Sequence, residues 1–329
     1  VLANDMAYDL TEFAEENPDV AANWIPESRE FCTVDGKLIC KPTSVLKPVG
    51  LYYNSSMYTP DKDIRDMTVD EFVDSLGDNK IAFMTAENGW TTALMLTALI
   101  ANEEGGVELL NSSVNDKLWD YSAPAFVNGV AKLQTILQNN ASSNTVGAAY
   151  ADAANAFMSK NAAVICNGSW MAPEFEEGSA DKWSNGFNGE DVKATIYPGN
   201  IAFANPSSYG EFWIANTATD EEKEAAEAFL AFRDSQEEIE ELVLTEGGVA
   251  PQLTYSDNFL AELKKTPLLY ELSESMNDET TYCASLGDVF PASVADTEFG
   301  KLLPKLIDNT LTPEEFCDEL TKKAEEAKQ

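Results

Sequence analysis

The chain has 329 residues, 44% hydrophobic and 10% aromatic, which is enough to build two cores and excludes a disordered chain. Its 57 acidic and 21 basic residues leave a net charge of -36, which repels nucleic-acid phosphates and anionic lipid surfaces. Histidine is absent, so Ser-His and Cys-His nucleophilic pairs and the commonest transition-metal ligand are excluded, and neither a cofactor nor a metal is expected.

Arg29, Arg65 and Arg233 are the only arginines. Because arginine is the usual fork for carboxylates and phosphates, their scarcity favours a neutral ligand. The cysteines, Cys32, Cys40, Cys166, Cys283 and Cys317, are odd in number and show no C-x-x-C spacing. No apolar run approaches the roughly 20 residues of a membrane span, and no signal-peptide pattern opens the chain.

In chain order, the segment VLANDMAYDLTEFAEEN carries an acidic helix after a short turn. REFCTVDGKLICKP reads as two β-rich runs around an Asp35-Gly36 turn. A two-residue turn sets Cys32 opposite position 39 and Cys40 opposite position 31, so thiols are favoured over a bridge. VGLYYN reads as a sheet strand holding Tyr52 and Tyr53. Asp61-Lys62-Asp63 resembles the start of a calcium loop but has Asp66 where glycine is required, and is read as a solvated turn.

Thr68 to Glu71 is a capping box. KIAFMT then predicts a buried strand, followed by the loop AENGW and the helix TTALMLTALIAN, an order that builds a parallel sheet. From Pro124 to Gln138, the spacing of Phe126, Val130, Leu133 and Leu137 predicts an amphipathic helix. Ala151 to Met158 reads as another helix, and AAVIC as a buried strand leading into the loop NGSW. VKATIY repeats the strand pattern. Thr219 to Glu222 and Thr312 to Glu315 are further capping boxes, the latter opening a polar terminal helix. Ser235 caps another helix that stops at Gly247-Gly248. The alternation of strands and helices is that of an α/β fold.

Three loops place an aromatic ring beside glycine and polar groups: Asn88-Gly89-Trp90, Asn167-Gly168-Ser169-Trp170 and Tyr209-Gly210-Glu211-Phe212-Trp213. Aromatic rings suit the C–H face of a sugar, and Glu87, Asn88 and Glu211 supply fixed polar partners for its hydroxyls. Each tryptophan taken alone also reads as a core packing residue. Carboxylate pairs of the kind a glycosidase uses arise by chance among 57 acids.

The order TVDGKLICKP, VGLYYN, IAFMTAENGW, AFMSKNAAVICNGSW, YGEFWIANTATDEEKEAAEAFLAF and GGVAPQ resembles the bacterial extracellular solute-binding proteins of ABC importers, the sugar-receptor family that includes maltose-binding protein. The resemblance implies a two-lobed, type II-like periplasmic-binding-protein fold that closes on its ligand by hinge motion. Lobe 1 would comprise 1–46 and 208–287, and lobe 2 would comprise 47–207 and 288–329, with crossings near 45–49, 205–210 and 287–292. Family members carry roughly one further βαβ region before the point where this sequence begins, so the first part of lobe 1 is expected to be missing. Carried over by motif, the ligand-binding residues are Glu87, Asn88, Trp90, Trp170, Tyr209, Glu211 and Trp213. The implied protein is a monomeric, extracytoplasmic receptor, periplasmic or a cell-surface lipoprotein, and not an enzyme. Its partners are a neutral mono- or oligosaccharide and a membrane permease. A same-fold receptor for a polyamine or other cationic solute, and a carbohydrate-active enzyme, are the alternatives.

Overall fold

The computed structural model describes residues 6–203, 212–277 and 279–328. The chain forms two units, Val1–Pro48 with Asn205–Tyr270, and Val49–Ala204 with Glu271–Gln329. The last passage between them thus falls at Tyr270–Glu271 rather than near 287–292. Strand β8 (Thr281–Cys283) explains the difference, because it lies parallel to β7 (Ile201–Phe203) in the sheet of the second unit.

In the first unit, Pro26 at the first helical turn starts the helix Pro26–Cys32. The segment Arg29–Cys32 is therefore helical, not the strand expected from its β-rich composition. The hairpin is confined to β1 (Thr33–Val34) and β2 (Lys37–Leu38). Asp35 and Gly36 have φ of 52° and 80°, the left-handed pair that a two-residue hairpin turn requires. Ile39 N–H donates to Cys32 O at 3.0 Å, which is the predicted register.

Phe13, Trp24, Leu38, Ile214 and Leu230 form one apolar core of this unit. Beneath it lies Asp234, with no exposed surface. Asp234 Oδ1 accepts from Lys41 Nζ at 3.0 Å and from Ser44 Oγ at 2.7 Å, and Oδ2 accepts from Trp24 Nε1 at 2.8 Å. A buried carboxylate is tolerated only with such a set of donors.

The second unit is built on a mixed sheet rather than the parallel one expected. Strand β3 (Val49–Asn54) lies at its centre, antiparallel to β5 (Val164–Gly168) on one edge and to β6 (Val192–Thr195) and β7 on the other. Among the described strands, β4 (Ile81–Ala82) with β5, and β7 with β8, are the parallel pairs. The strand–loop–helix order gave the direction of β4 relative to β5 but carried no information about β3.

The helix Trp90–Ala101 is buried along its whole length from Thr91 onward. A helix that is apolar on every side belongs inside a core, and Pro124–Asn139 covers one flank, with Phe126, Val130 and Leu133 fully buried. Thr68, Thr219 and Thr312 each close the predicted capping box with Glu71, Glu222 and Glu315. The terminal helix Pro313–Glu326 is not polar all round, since Phe316, Cys317, Leu320 and Ala324 make a buried stripe.

Burial pushes the thiols of Cys166, Cys283 and Cys317 up to about 12, and the thiolate is the reactive form. At pH 8 these three should resist an aromatic disulfide reagent in the native protein and react once guanidinium unfolds it; rapid native labelling at any of them would contradict their placement. Asp234→Ala strands the buried Lys41 charge and should cost about 3–5 kcal/mol, measured as a lower denaturation midpoint.

Candidate functional site

Behind β4 the chain turns through Ala86–Gly89 before entering the helix Trp90–Ala101. Thr85 and Ala86 N–H both donate to Ala148 O at 2.9 Å, and Thr92 Oγ1 donates to Met84 O at 2.6 Å. These bonds pin both ends of the loop. Between them Glu87 has φ of 52°, a left-handed backbone that a side-chain-bearing residue adopts only where its surroundings enforce it.

The enforcing neighbour is the helix Phe299–Ile307, whose Gly300 lies directly against the loop. A Cβ at Gly300 would collide with Glu87 O and stand 3.0 Å from the carbonyl carbon of Asn88. Only glycine lets the two backbones come this close.

Trp90, at the start of its helix, stacks on Tyr150 with ring centroids 5.6 Å apart and planes inclined by 29°. On another side it meets Trp170 at 6.1 Å and 41°. Tyr150 opens the helix Tyr150–Met158, and its hydroxyl accepts from Asn167 Nδ2 at 3.1 Å. Burial holds its phenol above the usual range, so the ring stays neutral under physiological conditions. Asn167 is fully buried, and its Oδ1 accepts from Gly168 N–H at 2.8 Å. It orients Tyr150 and the end of β5 rather than facing outward. The Trp170 ring lies against Gly168, where any Cβ would strike it, and remains 41% exposed. An exposed tryptophan locked against backbone is a preformed stacking surface.

Beside these rings is a cleft of about 350 Å³ lined by Trp90, Trp170, Phe290, Phe299, Asn88 and Asp296. A second, more open compartment of about 540 Å³, bounded by Glu87, Thr297 and Lys301, shares Asn88, Trp90 and Asp296 with the first. Such volumes are those of small-ligand sites. Asn88 Oδ1 is buried without a hydrogen-bond partner, and a buried orphan acceptor is costly unless something donates to it.

Among the residues predicted from sequence, Glu87, Asn88, Trp90 and Trp170 thus come together. Trp213 lies in the first unit, 45% exposed, while Tyr209 and Glu211 fall outside the described residues. Tyr52 is a buried strand residue whose hydroxyl donates to Gly168 O at 3.0 Å, and Tyr53 is half-buried in the same strand. Tyr150, Phe290, Phe299 and Asp296 were missed. Tyr150 and Asp296 sit in unremarkable local sequence, and only the fold carries them to the rings.

A family model described as bacterial extracellular solute-binding protein matches residues 1–270. The chain belongs to this family. No curated protein matches it. Solved structures are similar to it in fold. A chitin oligosaccharide binding protein superposes with TM-score 0.75 at 20% identity, over 99% of this chain and 80% of that one. A Streptococcus pneumoniae solute-binding protein in complex with the blood group A-trisaccharide gives 0.72 at 19%, over 98% and 79%. The solute-binding protein RafE in complex with raffinose gives 0.66 at 16%, over 100% and 82%. The family is extracellular, and among the described residues no helix is long and apolar enough to cross a membrane.

The contact between Gly300 and the Glu87 carbonyl makes a direct prediction. Gly300→Ala should destabilise the protein by about 1–3 kcal/mol through overpacking, read as a fall in the denaturation midpoint. An unchanged midpoint would show that the loop is not held by this helix.

Proposed function

We propose that this protein is the extracytoplasmic receptor of an ABC importer, periplasmic or anchored at the cell surface, that captures a neutral sugar or oligosaccharide and hands it unchanged to a membrane permease. The observation that carries this reading is the Trp90–Trp170–Tyr150 aromatic platform beside the unpartnered acceptor Asn88 Oδ1. A sugar ring matches both features: its C–H face covers an aromatic ring, and an equatorial hydroxyl donates to the orphan oxygen. Family membership and the sugar ligands named for similar structures support the same conclusion.

Glu87, Asn88, Trp90 and Trp170 are the proposed ligand contacts in the second unit, with Tyr209, Glu211 and Trp213 proposed from the second crossing. The receptor would act as a monomer. Transfer of the glycan unchanged accords with a sequence that contains no histidine and, among the described residues lining the cleft, no built nucleophile–base pair.

Titration calorimetry against neutral oligosaccharides, with spermidine as a separate arm, tests the proposal. At least one neutral glycan should bind and be recovered intact, and spermidine should not bind. Spermidine binding with no glycan binding would replace the sugar reading with the polyamine one. Trp170→Ala should weaken glycan binding at least tenfold, about 1.4 kcal/mol, with the circular dichroism spectrum unchanged.

A further inference from the structure

Between Phe290 and the helix Phe299–Ile307 the chain makes a π-turn over Val294–Glu298, closed by Phe299 N–H donating to Val294 O five residues back. Such a turn holds one residue more than an α-turn and shifts the side chains it carries, and it is frequent at functional sites. Val294 is fully buried and anchors the turn, while Asp296 stands in the wall of both compartments of the cleft.

Three further observations concern charge. Asp296 is exposed, and no ion pair or side-chain hydrogen bond occupies its carboxylate among the described residues. Among the described residues the one cation lining the cleft is Lys301, which pairs with Glu298 at 2.9 Å. Asn88, which lines the same two compartments, carries an Oδ1 that is also an acceptor without a partner. At the junction of the two compartments the described residues therefore offer acceptors whose donors must come from the ligand, and the cation in the wall already has a carboxylate partner.

We infer that Asp296 is a specificity-determining residue that divides the cleft into two subsites. One ring stacks in the aromatic compartment, the next residue of the glycan occupies the compartment of Glu87 and Thr297, and Asp296 accepts from a hydroxyl at the junction. The same carboxylate turns away glycans bearing carboxylates or phosphates there, since two anions at contact repel. The ligand class is thus a neutral glycan of at least two units. This inference rests on the sugar-receptor reading.

The test compares the wild-type chain with Asp296→Asn, which keeps an acceptor oxygen but removes the charge, and with Asp296→Ala. Calorimetry is run with neutral trisaccharides and, for each one that binds, with its C6-uronate form and its constituent monosaccharide. Wild type should favour the neutral trisaccharide at least tenfold over both. Asp296→Asn should narrow the neutral-to-uronate ratio at least fivefold, and Asp296→Ala should weaken the neutral trisaccharide about tenfold, with thermal midpoints unchanged because the side chain is exposed. If neutral trisaccharides bind but the ratio is the same in wild type and Asp296→Asn, the role of Asp296 is overturned and the receptor reading stands. If wild type binds monosaccharides as tightly as trisaccharides, the two-subsite division fails. If no neutral saccharide binds, the receptor reading itself falls, and the inference with it.

Discussion

Strand β3 is hydrogen-bonded along both edges, and this double pairing sets the geometry of the second unit. Its register with β5 puts Val49 opposite Gly168, so the first residue of β3, which lines the cleft, sits beside the end of β5, from which the chain turns out to Trp170. Its other edge holds β6 through Leu51 opposite Thr195. A Cβ at Gly50 would run into Thr195 O and Leu272. The strand can carry both neighbours because its side chains near the cleft are small where the packing is closest. Slipping the register by one residue would exchange the two faces of the strand and carry the support of Trp170 away from Trp90.

On this frame the proposed binding surface is made by immobilising large rings while leaving part of each uncovered. Trp170 lies on backbone, and Trp90 is bracketed by Tyr150 and Trp170 and held at the start of a buried helix. A ring that is ordered before the ligand arrives loses little conformational entropy on binding. The polar side of the cleft follows another rule. Asn88 and Glu87 sit on a loop fixed at both ends and pressed by Gly300, so the side chain that carries the unpartnered oxygen starts from a fixed backbone.

Much of this was legible locally. The three capping boxes, the stripe of Phe126, Val130 and Leu133, and the tight turn at Asp35-Gly36 each depend on residues within a few positions of one another, and each formed as the spacing predicts. The loops holding Trp90 and Trp170 were visible as glycine–aromatic motifs. Features set by distant partners were not legible. Arg29–Cys32 carries strand-forming residues but follows a proline that starts a helix. The antiparallel placement of β3 depends on strands more than a hundred residues away. Asp296 enters the cleft through a π-turn, which breaks the period that helical patterning looks for, and Tyr150 belongs to the site only because Asn167 is brought beneath it.

The Asp234 cluster bears on how the chain is made. Trp24 and its carboxylate partner are 210 residues apart in sequence, and most of the second unit is encoded between them. As the chain leaves the ribosome amino end first, Lys41, Ser44 and Trp24 emerge well before the group that neutralises and bonds them. Residues 49–204 of the second unit emerge in that interval, while the amino-terminal stretch waits with an unpaired lysine and an incomplete core. How long the Asp234 cluster stays incomplete during synthesis is thus set by the length of chain encoded between its members.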